Sequence, residues 1–546
     1  MNALVVLYGG SLNGPALEPV CGGRNALSLA LGRAAAFPGA EKTVLLLPEA
    51  FDESALPAAG DLPPGFETIK APLWTKKILL ETIAAASEGF DLSYFVWADC
   101  PFLDAGLAGA VAARHTRYAA EYSYADGWPY GLAPELLSPG TAGILSKIIA
   151  EDDGPVGRDT LFSVLQKDIN AFDIETEISP VDLRSHRLSF SADSKRNLLL
   201  LRRFAEASGG AVPEASVISD LIGKKPELLR TLPKYFPIQV SGPCPQACPL
   251  CPYPHFGRGS GGEAVTERRD FMETGAFEKL LDKIIAFCGD AVIDLSLWGE
   301  IALHPRRLEL IDMVLARPAL SLVIETSGIG WLPSDPDSIC AAVSSAAKRE
   351  NDCGPEGGMP PLSWIVSLDA FSQERYLQTR GTGFAEALAF ARRLRGLFPA
   401  DTWVQAVRVQ GAEDDIEQFY RSWKEGDPKN GGVIIQKYDD FCGALPKRQA
   451  SDLSPVQRQS CWHIMRDFPV LIDGSVPACR EDLSVFKLPV FKPPVLKEGR
   501  AGILGNALSE SLETIWARGE DLYLKHTQKN YPGICAECDE YYTYNF

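Results

Sequence analysis

The stretch YFPIQVSGPCPQACPLC, residues 235–251, decides how the rest of the chain is read. Its first half is apolar and bounded by Gly and Pro, as a buried strand is. Its second half carries Cys244, Cys248 and Cys251 in the spacing C-x3-C-x2-C. Thiolates are soft ligands, suited to iron–sulfur clusters and to zinc. Three of them leave a four-coordinate site one ligand short. His255, four residues past Cys251, would complete a zinc knuckle.

Working outward, the pattern repeats. METGAFEKLLDKIIAF has apolar residues at helical spacing, and VIDLSLWG follows as a strand. Then come helix PRRLELIDMVLA, strand LSLVIETSG and an insertion at 331–362. Strand WIVSLDA, helix FAEALAFARRLRGL, strand TWVQAVRVQ, helix DDIEQFYRSWKE and strand GVIIQKYD complete the series. Six β/α units predict a parallel, barrel-like sheet. Catalytic groups in such sheets collect at the carboxyl ends of the strands, and the cysteine loop lies at such an end.

These residues resemble the radical S-adenosylmethionine superfamily over 235–440, which implies a partial (β/α)6 TIM barrel. The resemblance implies that the three cysteines bind three irons of a 4Fe–4S cluster. S-adenosyl-L-methionine then chelates the fourth iron, and its reductive cleavage generates a 5′-deoxyadenosyl radical. LWGE at 297–300 resembles the family's Gly-Gly-Glu segment, with Trp298 in place of the first glycine, so Gly299 and Glu300 carry over. ETSG at 325–328 stands where the family often has Thr-Asn-Gly and offers Ser327. SLDA at 367–370 resembles Ser-Leu-Asp-Gly and offers Ser367 and Asp369, near the ribose and carboxylate. Arg408, on the fifth strand, is a further candidate for the carboxylate.

Residues 441–546 are cysteine-rich. Cys461, Gly474 and Cys479 read C-x12-G-x4-C, and Cys535 and Cys538 read C-x2-C. FPVLIDGSVPAC is predicted to turn at Asp473-Gly474, a favoured turn pair, and to bring Cys479 back toward Cys461. With ILGNALSESLETIWARG between the pairs, the tail resembles the SPASM/twitch extension. That implies a small iron–sulfur domain with one auxiliary 4Fe–4S cluster on Cys461, Cys479, Cys535 and Cys538. Zinc on the same four thiolates is the rival reading. Cys442, like Cys21, Cys100, Cys288, Cys340 and Cys353, reads as a structural thiol, since free cysteine is commonly a buried small hydrophobe.

Residues 1–210 alternate buried-strand runs (ALVVLYGG, KTVLLLPE, DLSYFVWADCPFLD) with helix-like stretches, which predicts a Rossmann-type α/β domain. A Gly-rich loop follows the first strand and could cradle phosphates. With WADCPFLD and LRSHRLSFSADSKRNLLLL, this region resembles cytidylyltransferase-type nucleotidyltransferases. The resemblance implies that Asp99 and Asp193 hold Mg2+ bridging a nucleotide triphosphate. The first loop lacks the family's Arg, and Arg24 stands near its Lys position, so a domain that only binds a nucleotide, sugar or partner is an equal reading. Residues 211–234 read as a connector containing a helix. The three domains together resemble the spiro-SPASM proteins of spirochaetes.

Lys plus Arg number 53 and Asp plus Glu 71, a formal charge of −18. An acidic surface repels phosphate backbones, which argues against generic nucleic-acid binding and docking on anionic membranes. No apolar run is long enough to span a bilayer and no secretory signal opens the chain, so a cytoplasmic protein is expected. The resemblances imply radical modification of a peptide or protein, with an electron donor such as flavodoxin or ferredoxin. Radical modification of a sugar or nucleotide-linked small molecule is the alternative, and a zinc-stabilised scaffold without enzymatic activity is the third. The six histidines show no Ser-His-Asp pattern that would support a hydrolase.

Overall fold

The computed structural model describes residues 2–10, 12, 14–149, 154–253, 270–350, 360–424, 432–451, 455, 458–483 and 502–542. The chain forms two compact units, Met1–Thr231 and, outside residues 354–358, Leu232–Phe546.

In the first unit, strand β1 (Ala3–Tyr8) is buried along its whole length, as a parallel strand covered on both faces must be. It lies between β2 (Ala40–Pro48) and β4 (Leu92–Trp97), and β2 also pairs with β3 (Phe66–Ala71), all in parallel. The sheet continues through β5 (Tyr122–Asp126), β6 (Glu135–Leu137) and β7 (Ile174–Ile178) in the order β3-β2-β1-β4-β6-β5-β7, with only β6 antiparallel. Helix α1 (Ala26–Ala34) starts where Asn25 caps the Ser28 N–H. Helix α2 (Ala105–Tyr118) is capped in the same way by Asp104. The second carboxylate oxygen of Asp104 accepts from the N–H of Ala215, 2.8 Å away. That residue opens helix α3 (Ala215–Lys224), which lies within the stretch read as a connector.

The second unit is built on six strands in sequential order: β8 (Tyr235–Pro237), β9 (Ala291–Asp294), β10 (Leu320–Thr326), β11 (Leu362–Ser367), β12 (Thr402–Arg408) and β13 (Val433–Lys437). All five pairings are parallel, the half-barrel that the β/α rhythm predicts. The crossovers include α4 (Thr274–Cys288), α5 (Arg307–Leu315), α6 (Asp335–Glu350), α7 (Phe384–Leu397) and α8 (Glu413–Lys424). Helix α6 occupies half of the stretch read as an insertion. It docks through Ile339 and Ala346, two turns apart on one face.

The tail shares this core. Phe468, Val470, Val476, Ile515 and Trp516 belong to the same hydrophobic cluster as the barrel strands. Residues 467–470 lie along the open edge of β8, with bonds from Phe468 N–H to the Tyr235 carbonyl and from Val470 N–H to the Pro237 carbonyl, both 2.8 Å. An unpaired strand edge is thereby covered. The turn at Asp473-Gly474 forms, closed by the Leu471 N–H on the Ser475 carbonyl at 2.8 Å. The strand that follows, β14 (Ser475–Pro477), pairs antiparallel with β15 (Ile503–Asn506). Residues 467–470 are already bonded to β8, so they are not its partner.

Candidate functional site

A cavity of about 260 Å3 opens at the carboxyl ends of the half-barrel strands. Cys244, Cys248 and Cys251 all line it. Their loop is anchored by Tyr253, whose hydroxyl donates to the Gly242 carbonyl, and by Gln246, whose amide donates to the Tyr376 hydroxyl at 2.9 Å. Burial pushes the Cys244 thiol up to about 12 and raises Cys248 and Cys251 as well; charge on one thiolate would oppose charge on the others. Burial raises a structural thiol in the same way; what sets these three apart is that one short loop brings three soft donors to one cavity. The donor set therefore fits a thiolate-bound cluster. His255 falls outside the described residues.

Glu300 is buried, six residues past the end of β9, where it caps the short turn Ile301–Leu303. One of its oxygens accepts from the Thr326 hydroxyl at 2.7 Å, and the other from the Ser327 N–H and hydroxyl at 2.8 and 2.7 Å. Its own N–H donates to the Pro243 carbonyl at 2.9 Å, tying this turn to the cysteine loop. Burial raises the Glu300 carboxyl against the pull of these donors. Trp298 and Gly299 both have left-handed backbones, with φ of 50° and 81°. A bulky residue at positive φ is an outlier that needs support. The Trp298 ring has it, stacked on Tyr253 with centroids 6.0 Å apart and packed against Phe441 at 5.7 Å.

The fourth-strand pair is also on the cavity. Ser367 donates to Glu325 at 2.6 Å and accepts from Gln405 at 3.1 Å. Asp369 pairs with Arg380 at 2.6 Å and accepts the Val407 N–H at 2.8 Å. Arg380 lines the cavity beside Cys248 and Gln246. Arg408 closes β12 in register with Lys437 and is not among the lining residues. Gln246, Glu325, Arg380 and Gln405 were not singled out from sequence; the signal was weak, each being one polar residue in an ordinary loop or strand.

The polar floor includes Asp294, which accepts from the Ser296 N–H and the Tyr235 hydroxyl. Burial, with the charge of Glu325 adding to it, lifts the Asp294 carboxyl to about 6. A carboxyl raised from 3.8 costs the fold stability as pH climbs from about 4 to 6, by about 3 kcal/mol for a shift of this size. Asp294→Asn in the metal-free protein is expected to remove that slope, measured as the difference in urea midpoint between pH 4 and pH 7 against the parent.

In the tail, Cys461, Cys479 and Cys535 each feel the Cys538 thiol, so the four lie near one another. Burial raises the Cys461 and Cys479 thiols and lifts Cys535 to about 12. The N–H groups of Glu481 and Glu540 reach the Cys479 and Cys538 sulfurs, each at 3.4 Å, as donors to cluster thiolates do. Cys442 is a fifth member, raised chiefly by the neighbouring Cys538 thiol. Its place just past β13 marks it only once the tail is known to fold back there. Phe441 and Arg480, the neighbours of Cys442 and Cys479, line the cavity. Asp439, Asp440 and Asp539 also approach one another, and the Lys437 ammonium already sits 3.0 Å from Asp539. Cys21, Cys100 and Cys288 are buried and Cys340 is half-buried, while Cys353 falls outside the described residues.

In the first unit, Asp99 and Asp193 do come together, but around a side chain. Arg158 spans Asp99 with bonds of 2.8 and 2.5 Å and reaches Asp193 at 3.3 Å. Both Asp99 oxygens accept from this guanidinium, so the pair does not fit Mg2+ as it stands.

No family model matches the chain. A protein of Treponema pallidum (strain Nichols), described as uncharacterized, is 35% identical over 393 residues, spanning 71% of this chain and 98% of the relative. The chain belongs to the family of that protein. A second uncharacterized Treponema pallidum protein is 43% identical over 51 residues, 9% of this chain and 23% of that one. Among solved structures, Streptococcus suis SuiB bound to S-adenosylmethionine is 10% identical with a TM-score of 0.40, covering 65% of this chain and 88% of its own. BtrN in complex with AdoMet and 2-DOIA is 14% identical with a TM-score of 0.31, covering 58% and 94%. A cytidylyltransferase from Leptospira borgpetersenii is 16% identical with a TM-score of 0.35, covering 42% and 95%. Among the described residues no helix is long and apolar enough to cross a membrane.

Proposed function

We propose that this chain is a radical S-adenosylmethionine enzyme carrying a second, auxiliary 4Fe–4S site in its tail. The carrying observation is convergence on one cavity. Cys244, Cys248, Cys251, the Glu300 turn and the Asp369–Arg380 pair meet at the carboxyl ends of six parallel strands. Cys244, Cys248 and Cys251 would hold the first cluster, and Cys461, Cys479, Cys535 and Cys538 the second. When bound, these groups with S-adenosylmethionine supply radical hydrogen abstraction. The chain's own residues orient the cosubstrate. Gly299 and Glu300 present the backbone edge for its amino end. Arg380, fixed by Asp369, presents the guanidinium for its carboxylate, and Ser327 and Ser367 offer hydroxyls to the ribose. A reductant such as flavodoxin or ferredoxin would supply electrons. Anaerobic reconstitution followed by measurement of 5′-deoxyadenosine released under reductant tests the proposal. A colourless protein that holds zinc would end it.

We take the substrate to be a peptide or protein segment, because tail residues Phe441 and Arg480 form part of the cavity wall. A small polar molecule is the second reading, favoured by the floor of Asp294, Ser296, Glu325 and Gln405. Deuterium passing into 5′-deoxyadenosine from labelled peptides supports the first; transfer only from labelled amino or hydroxyl compounds supports the second.

Four thiolates complete a cubane cluster, so one of the five tail thiols is surplus. Cys442→Ala is expected to keep the tail's roughly four irons, whereas Cys461→Ala or Cys479→Ala loses them. Iron assay on each variant checks this, and loss of iron in Cys442→Ala would make that residue a ligand.

A further inference from the structure

The first unit holds a crevice that the proposed chemistry does not use. Its strand order reverses between β1 and β4, and ligands of open α/β sheets bind outside the carboxyl ends at such a reversal. Asp99 stands there, two residues past β4 and 0% exposed, with Asp193 across from it. A divalent cation at this pair would need carboxylate oxygens free to approach within about 2.1 Å.

Those oxygens are engaged. Arg158 Nη1 donates to Asp99 Oδ1 at 2.8 Å, and Nη2 donates to Asp99 Oδ2 at 2.5 Å and to Asp193 Oδ2 at 3.3 Å. The guanidinium also lies over the Trp97 ring, 4.1 Å from its centroid, with Tyr130 at 5.5 Å. Asp193 is steadied by the Ser191 hydroxyl and the Asn197 amide, both at 2.8 Å. A wholly buried carboxylate needs a counter-charge, and a planar guanidinium that cannot lose its proton supplies one without metal. A dication could enter only by breaking a two-pronged, charge-assisted contact and lifting Arg158 off an aromatic face.

We infer that Arg158 replaces the divalent cation in this crevice. The Asp99–Asp193 pair is held by an internal guanidinium, takes no magnesium, and does not run a magnesium-dependent nucleotidyl transfer. This stands apart from the radical chemistry proposed for the other unit.

The test is titration of the full-length protein with Mn2+, followed by loss of the free-ion electron paramagnetic resonance signal, with and without CTP. The parent and Asp193→Asn are expected to bind the same number of ions, so that sites elsewhere cancel. Arg158→Gln is expected to gain one site, lost again in the Arg158→Gln, Asp193→Asn double variant. The inference is overturned if Asp193→Asn removes an ion from the parent in either condition, or if a folded Arg158→Gln protein gains none. Magnesium-dependent release of pyrophosphate from CTP that Asp193→Asn abolishes overturns it as well. Should Arg158→Gln fail to fold, the parent against Asp193→Asn decides alone: equal counts support the inference and a lost ion overturns it.

Discussion

Alanine at Cys244, Cys248 and Cys251 together is expected to cut iron from about eight to about four per chain and to abolish cleavage of S-adenosylmethionine. The three thiols are the protein's proposed contribution to the first cluster. Cys461, Cys479 and Cys535 each feel the Cys538 thiol, and Cys244 and Cys251 each feel the Cys248 thiol. Emptying one site should leave the other loaded. Protein stability should change little, because alanine fills most of a cysteine's volume and two of the three side chains are only half-buried. Iron that stays at the parent's level in the triple variant would sink the assignment of a cluster to this loop. Zinc at both sites would return the chain to a scaffold.

What could be read from the sequence was whatever is local along the chain. The six strands announce themselves as apolar runs, and the cysteine spacing sits on the end of the first. Helix α6 was misread as insertion because DPDSICAAVSSAAKRE is mostly small and polar, with a thin apolar stripe. The residues that complete the cavity were hidden for a different reason. Gln246, Glu325, Arg380 and Gln405 come from four separate segments, and only the parallel register of β10, β11 and β12 brings Glu325, Ser367 and Gln405 into one hydrogen-bonded set. Arg158 lies 59 residues from Asp99 and 35 from Asp193, so two aspartates could be proposed for a metal without sight of the side chain between them. Trp298 shows the opposite case. Its departure from glycine was visible at once, but its stacking between the cysteine loop and Phe441 was not.

Gly299→Ala is expected to lose the first cluster while keeping the tail's roughly four irons. A Cβ at this position would lie 2.0 Å from the Ser241 carbonyl oxygen, 2.8 Å from its carbon and 3.3 Å from the Pro243 oxygen. All three are main-chain atoms of the segment between β8 and Cys244, so no side chain can turn aside to make room. The cysteine loop has to move, and the bond from Glu300 N–H to the Pro243 carbonyl breaks with it. Backbone strain adds to the clash, since φ at Gly299 is 81° and left-handed alanine costs about 1–2 kcal/mol. Gly411→Ala separates the two effects. Its φ is 75°, but nothing lies within 4 Å of the added Cβ, so it carries the strain without the clash. Iron and S-adenosylmethionine cleavage should therefore survive in Gly411→Ala and fail in Gly299→Ala. Equal retention in both would mean that the close approach of Gly299 to the cysteine loop does not set the geometry of the site.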